Sequence, residues 1–93
     1  MSNTIGDNGS KRRDRHDIMA EILTTAKDGK IKTHIMYKAK LSYAQINEYI
    51  PALVDGGFLE NTTVKLRKYH KKIFKTTTKG LRFLESFESM NKL

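Results

Sequence analysis

The sequence predicts an α+β fold of three helices, a basic two-stranded β-hairpin and a closing helix. Three observations predict it. Apolar residues recur at helical spacing as far as Gly56-Gly57, the period shortens to that of strands between Phe58 and Thr77, and helical spacing returns after Thr76-Thr77-Thr78. At 93 residues the chain suffices for one compact domain and is too short for two. Its apolar share of 38% limits the core to a modest size.

Met1 to Ser10 is mostly Ser, Asn, Gly and Asp with a single Ile, a composition that cannot offset the entropy of ordering. Residues 1–12 are therefore expected as a disordered, basic-ended tail, and 13–93 as the folded domain. From Asp14 onward Ile18, Met19, Ile22, Leu23 and Ala26 share one helical face, with Asp28-Gly29 as the stop. Thr33 is the expected cap of a short second helix carrying Ile35, Met36 and Ala39, with Lys38 and Lys40 near its end. Ser42 and Gln45 match an S-x-x-Q capping box. The third helix they open buries Ile46, Tyr49, Ile50, Leu53 and Val54 and stops at Gly56-Gly57. Pro51 removes a backbone donor and crowds the carbonyl of Asn47, so a kink or break is expected there.

Phe58 to Leu66 and Ile73 to Thr77 are rich in β-branched and apolar residues and read as antiparallel strands. The segment between them, Arg67 to Lys72, has no Gly, Pro, Asn or Asp, so its turn is weakly marked; Asn61-Thr62 is an alternative turn. Thr77 or Thr78 then caps a last helix with Leu81, Phe83, Leu84, Phe87 and Met90. On a helical wheel Leu81 and Leu84 point to one side and Phe83, Phe87 and Met90 to the other. That spread is wider than a single core contact needs, so Phe83, Phe87 and Met90 are the expected interface of a homodimer.

Eighteen Lys and Arg against 10 Asp and Glu give a formal charge of +8, which favours a polyanionic partner. The excess is clustered. Lys11, Arg12, Arg13 and Arg15 lie at the start, and Lys65, Arg67, Lys68, Lys71, Lys72 and Lys75 fall in a window without an acid. The absence of cysteine excludes disulfides, thiolate metal sites and a cysteine nucleophile. His16, His34 and His70 sit on separate elements without ligand spacing, and Ser42 and Thr76 to Thr78 read as caps and strand residues rather than nucleophiles. No enzyme, cofactor, metal or small-molecule ligand is implied. No segment has the length and apolarity of a membrane span, and a cytoplasmic location is expected.

The order of elements describes a winged helix-turn-helix whose turn is the joint Lys40-Leu41. In such a module the second helix braces the third, the third enters the major groove of DNA, and the hairpin wing follows the backbone. The expected DNA-binding residues are Arg12 and Arg13 of the arm, Lys38, Lys40, Ser42, Tyr43, Gln45 and Asn47 around the third helix, and Arg67, Lys68, Lys71 and Lys72 of the wing. Gln and Asn can bond an adenine edge in bidentate fashion, Tyr43 can reach a phosphate or stack, and the cations neutralise phosphates. Glu48 completes the polar set exposed near the start of that helix.

The run Thr33-His34-Ile35-Met36-Tyr37-Lys38-Ala39-Lys40-Leu41-Ser42-Tyr43 is followed by Tyr49, Leu53, Gly57-Phe58-Leu59-Glu60, Phe74 to Gly80 and Phe83-Leu84. Together these residues resemble the archaeal winged-helix family that includes the 10a chromatin-type DNA-binding proteins, over about Arg13 to Met90. The resemblance implies binding of double-stranded DNA with little or modest sequence specificity, and dimers joined through the last helix. In two respects the sequence departs from that family. About fourteen residues follow Thr78, where chromatin-type members have a long helix, and Thr76 stands where an apolar strand residue is usual. The expected function is double-stranded DNA binding as a transcriptional regulator or chromatin-type protein. Its main rival is a protein-interaction module whose basic wing docks on an acidic partner, and RNA binding comes third.

Overall fold

The structure is a computed structural model that describes residues 13–91; the expected tail over 1–12, with Arg12, lies outside the described residues. Helix α1 spans Arg15–Thr25. Its start is a reciprocal capping box: the Asp17 backbone N–H donates to Asp14 Oδ1 at 2.9 Å, and the Asp14 N–H donates to Asp17 Oδ2 at 3.1 Å. The stripe of Ile18, Ile22, Leu23 and Ala26 is buried, with Met19 packed against it.

Helix α2 spans Lys32–Lys38 and differs from expectation at its start. Thr33 lies inside the helix, and Ile31 occupies the N-cap position without any side-chain cap. A tertiary contact fixes the entry instead. Lys30 pairs in antiparallel fashion with Phe74, its N–H donating to the Phe74 carbonyl at 3.0 Å and its carbonyl accepting from the Phe74 N–H at 2.9 Å. Chain direction is thus set before the first helical residue.

Helix α3 spans Tyr43–Asp55 and runs through Pro51 without a break. Pro51 lies on the exposed side, where the carbonyl of Asn47, left without its helical donor, can be hydrated. The Ser42–Gln45 capping box forms as expected, with Gln45 N–H to Ser42 Oγ at 3.1 Å and Ser42 N–H to Gln45 Oε1 at 2.9 Å. Both α2 and α3 end in the same hydrogen-bond pattern. Leu41 N–H reaches Met36 O and Lys40 N–H reaches Tyr37 O after α2; Phe58 N–H reaches Leu53 O and Gly57 N–H reaches Val54 O after α3. This motif needs a left-handed residue just past the cap, and the two positions are filled by Lys40 (φ 55) and Gly57 (φ 82).

The hairpin is longer than its local pattern suggests. Strand β1 spans Leu59–Leu66 and β2 spans Tyr69–Thr76, in antiparallel register from Leu59↔Thr76 to Leu66↔Tyr69. The turn is therefore Arg67-Lys68 alone. Tyr69 to Lys72 are strand, and Asn61, half of the alternative turn, pairs with Phe74. Cross-strand pairing extends β2 beyond the stretch that local preference marks.

Helix α4 spans Thr78–Asn91. Thr77 caps it: Oγ1 accepts from Gly80 N–H at 3.1 Å, and the carbonyl accepts from Leu81 N–H at 2.9 Å. A Cβ on Gly80 would meet the Phe58 carbonyl oxygen at 2.5 Å and Thr76 Cγ2 at 2.6 Å, so α4 packs against the root of the hairpin at a distance only glycine allows. Thr76 is buried yet satisfied, its Oγ1 donating to Leu23 O at 2.6 Å and its N–H to Ala26 O at 3.0 Å. That bond accounts for a polar residue where an apolar one is usual. Ile22, Leu23, Ile35, Ile46 and Leu59 form the fully buried centre, and α4 closes it with Leu84. Leu81, expected beside Leu84 on the core side, is exposed, because the buried arc of α4 runs from Leu84 through Gly80 towards Phe83 and Phe87.

Candidate nucleic-acid interface

The turn between α2 and α3 is braced from outside. The Arg13 guanidinium donates to the carbonyls of Ala39 and Lys40, the latter at 2.9 Å, where helix α2 leaves acceptors unpaired. Arg13, expected as a phosphate contact, therefore also holds the left-handed joint that aims α3. Lys38 and Lys40 are exposed on the same turn.

At the start of α3, Tyr43 is 67% exposed, and Lys32 Nζ lies 5.5 Å from its ring centroid. The same ammonium donates to Asn47 Oδ1 at 2.7 Å. Asn47 is half-buried and turned towards the hairpin, so it is less open than an outward polar residue of α3 would be. Gln45 is exposed, but its Oε1 is engaged by the cap and only its amide N–H groups remain for another partner. The fully outward face of α3 carries Ala44, Glu48, Pro51, Ala52 and Asp55. Glu48 on that face disfavours a phosphate backbone, and Asp55 does so at the C-terminal end of the helix, where it also borders the cleft towards the hairpin; the N-terminal edge carrying Tyr43, Lys32 and Asn47 has no carboxylate of its own.

Alternation along the hairpin divides the wing cations. Asn61 and Phe74 pair on the face turned to α3, and counting outward by two places Thr63 with Lys72 and Lys65 with His70 on that face. Asn61, Lys72 and Phe74 line a cleft of about 460 Å³ with Lys32 and with Asn47, Ile50, Pro51, Val54 and Asp55 of α3. Lys71 and Lys75 stand on the opposite face, and Arg67 and Lys68 form the tip. The expected wing set thus splits: Lys72 shares the α3 side, Lys71 does not. Lys65 joins Lys72 there and was recoverable from strand alternation, given the register. Lys32 carries no such signal, because only tertiary packing brings it to Tyr43 and Asn47.

Among the described residues Lys30–Asp28 is the one ion pair, at 2.7 Å, so the wing cations have no carboxylate partner there. Lys79 is used structurally: its Nζ donates to Gly56 O at 2.7 Å, at the carbonyl end of α3. Among the described residues no cluster of His, Asp and Glu could hold a metal ion, and no helix is long and apolar enough to cross a membrane.

Sso10a-2, a DNA-binding protein from Sulfolobus solfataricus, superposes with a TM-score of 0.74 at 28% identity, over 86% of this chain and 80% of that one. A possible transcriptional regulator from Methanosarcina mazei Go1 shares the fold at a TM-score of 0.55 and 13% identity, over 82% of this chain and 69% of its own. In sequence, an uncharacterized protein of Methanocaldococcus jannaschii is 33% identical over 94 aligned positions, 98% of this chain and 91% of the relative. All three similar proteins are archaeal. The family model described as winged helix-turn-helix matches residues 12–93, and the chain belongs to the winged helix-turn-helix family.

Proposed function

We propose that this protein binds double-stranded DNA as a transcriptional regulator or chromatin-type protein, with the N-terminal part of α3 in the major groove and the wing on the phosphate backbone. The observation that carries this reading is the hairpin: from Asn61 to Lys75 it has no acid, and its face turned to α3 carries Lys65 and Lys72, the latter lining a cleft with Asn47. Support comes from the family and from the DNA-binding description of Sso10a-2. The same comparisons point to a protein that is not an enzyme. Phosphate contact is assigned to Arg67, Lys68 and Lys72, joined by Lys38 and Lys40. Base contact is assigned to Gln45 and Asn47, with Tyr43 and Ser42 positioning them.

Fluorescence anisotropy with random duplex DNA over a salt series tests the reading. Expected are preference for duplex over single strands and affinity that falls steeply as salt rises. Failure to bind duplex at low salt would sink it in favour of a protein-interaction module.

A homodimer through α4 belongs to the same proposal. Phe83 is stacked with Phe87 at 6.0 Å between ring centroids and meets Phe58 edge-on at 5.9 Å, so these rings are partly covered by their own domain. Met90 remains 67% exposed beside a groove formed with His16 and Phe87. Met90→Glu is accordingly the cleaner probe. Light scattering should give a dimer for the wild type and a monomer for Met90→Glu; a wild-type monomer at micromolar concentration rules the interface out.

A further inference from the structure

The wing ends in an apolar pair that its own fold does not use. Leu66 and Tyr69 face each other across the last rung of the hairpin, 38% and 64% exposed, directly beside the turn Arg67-Lys68. Val64 and Ile73 continue the same face towards the domain, interrupted by Lys71. A cross-strand Leu–Tyr pair supports a hairpin by roughly 0.2–1 kcal/mol, but that role needs neither the tip position nor a surround of cations. Nothing in the described residues covers the pair.

We propose that Leu66 and Tyr69 form a wedge that enters the minor groove of duplex DNA and unstacks a base step there. The inference rests on the duplex-binding reading above and adds to it a residue-level action on the DNA. A hairpin standing beside a helix seated in the major groove must cross the phosphate ridge, and its tip then meets the neighbouring minor groove. That groove is about 6 Å wide, too narrow for a whole two-stranded ribbon but open to side chains at its end. Arg67 and Lys68 lie where they can hold the two phosphate walls, and the next rung back adds Lys65 on the first strand, opposite His70 on the second. The charge pattern selects a polyanion, and the apolar centre selects a site within it that offers aromatic faces once opened. Apolar side chains that enter the minor groove in this way part the stacked bases and bend the duplex towards the major groove. Pyrimidine–purine steps, TA above all, part most readily and are the steps the wedge should favour.

The test uses a duplex of repeated TA steps. One version carries 2-aminopurine in place of adenine at alternate steps, and another carries donor and acceptor dyes at its two ends. Binding is read in the same samples by anisotropy. Wild-type protein should raise 2-aminopurine emission and shorten the end-to-end distance to that of a bend of roughly 20–90°. The Leu66→Thr, Tyr69→Thr protein, which keeps strand preference, should bind with the same salt slope and lose both signals. The Leu66→Met, Tyr69→Phe protein should retain them. Should the double threonine variant melt early, the single Tyr69→Thr variant takes its place. Wild-type binding without unstacking overturns the proposal, as does a threonine variant that still unstacks. If the wild type does not bind duplex at all, anisotropy shows that the underlying reading has failed and the wedge with it.

Discussion

Helix α3 and the wing stand side by side, and their polar groups are in opposite conditions. On α3 the groups expected to read bases are already engaged within the protein: Gln45 closes a capping box and Asn47 holds Lys32. On the wing, the cations have no carboxylate partner among the described residues. An engaged side chain is pre-organised but must exchange a partner to bond a base, whereas an unpaired cation gains a partner on meeting phosphate. The proposed duplex binding therefore draws its affinity from the wing, with α3 adding at most modest selectivity.

Removing the wing charges should give the largest effect. For Lys65, Arg67, Lys68 and Lys72 changed together to Ala, the slope of log affinity against log salt should flatten by roughly 0.9 for each phosphate no longer neutralised. The Lys71→Ala, Lys75→Ala pair removes cations from the face turned away from α3 and should change the slope far less. Equal flattening by the two sets would break the assignment of one wing face to the duplex.

A second test asks how firmly the wing is rooted. Gly80→Ala forces a methyl group into the Phe58 carbonyl and Thr76 at the base of the hairpin, so the backbone must shift. Overpacking of this kind should cost about 3 kcal/mol, read as a lower denaturant midpoint. Thr76→Val removes the bond to Leu23 O and should cost about 1 kcal/mol. A Gly80→Ala protein as stable as the wild type would show that the wing root is not held by α4.

These positions also show what the sequence could and could not disclose. The third helix was legible because its signals are local: Ser42 and Gln45 are three residues apart, and Gly56-Gly57 sits at its end. Strand β2 was legible only in its inner half, since Tyr69 to Lys72 are ordered by pairing with Thr63 to Leu66 rather than by their own preferences. Thr33 has the chemistry of a cap, yet the bridge from Lys30 to Phe74, distant in sequence, starts α2 earlier. Of the interface, the wing charges were visible in composition. The Lys32 bond to Asn47 and the Arg13 brace were not, because each depends on where folded elements come to rest.

Selectivity on α3 should be smaller and separable from affinity. Gln45→Ala removes half of the capping box and should cost about 1 kcal/mol of stability. Asn47→Ala releases Lys32. Together they should reduce discrimination between a selected site and random duplex by roughly 1 to 3 kcal/mol, with nonspecific affinity unchanged. Unaltered discrimination by the double variant would leave α3 as a spacer that positions the wing.

The weakest effect concerns the two helix ends that share one hydrogen-bond pattern. Gly57 adopts its left-handed conformation without a Cβ penalty; Lys40 adopts the same region at φ 55 with a full side chain. In an L-residue that conformation costs roughly 1–2 kcal/mol, part of which the Arg13 bonds to Ala39 and Lys40 offset. Lys40→Gly should therefore raise stability by about 0.5–1 kcal/mol, which for a domain of this size lifts Tm by a few degrees. The reciprocal Gly57→Lys should lower stability by at least as much, having no comparable brace. Salt dependence then separates the two uses of Lys40. If its ammonium meets phosphate, Lys40→Gly gains stability while its salt slope falls by roughly 0.9; if the lysine serves only the turn, the slope stays unchanged. Loss of stability in Lys40→Gly would mean that the left-handed joint is held by the lysine side chain itself, and the parallel with Gly57 would fail.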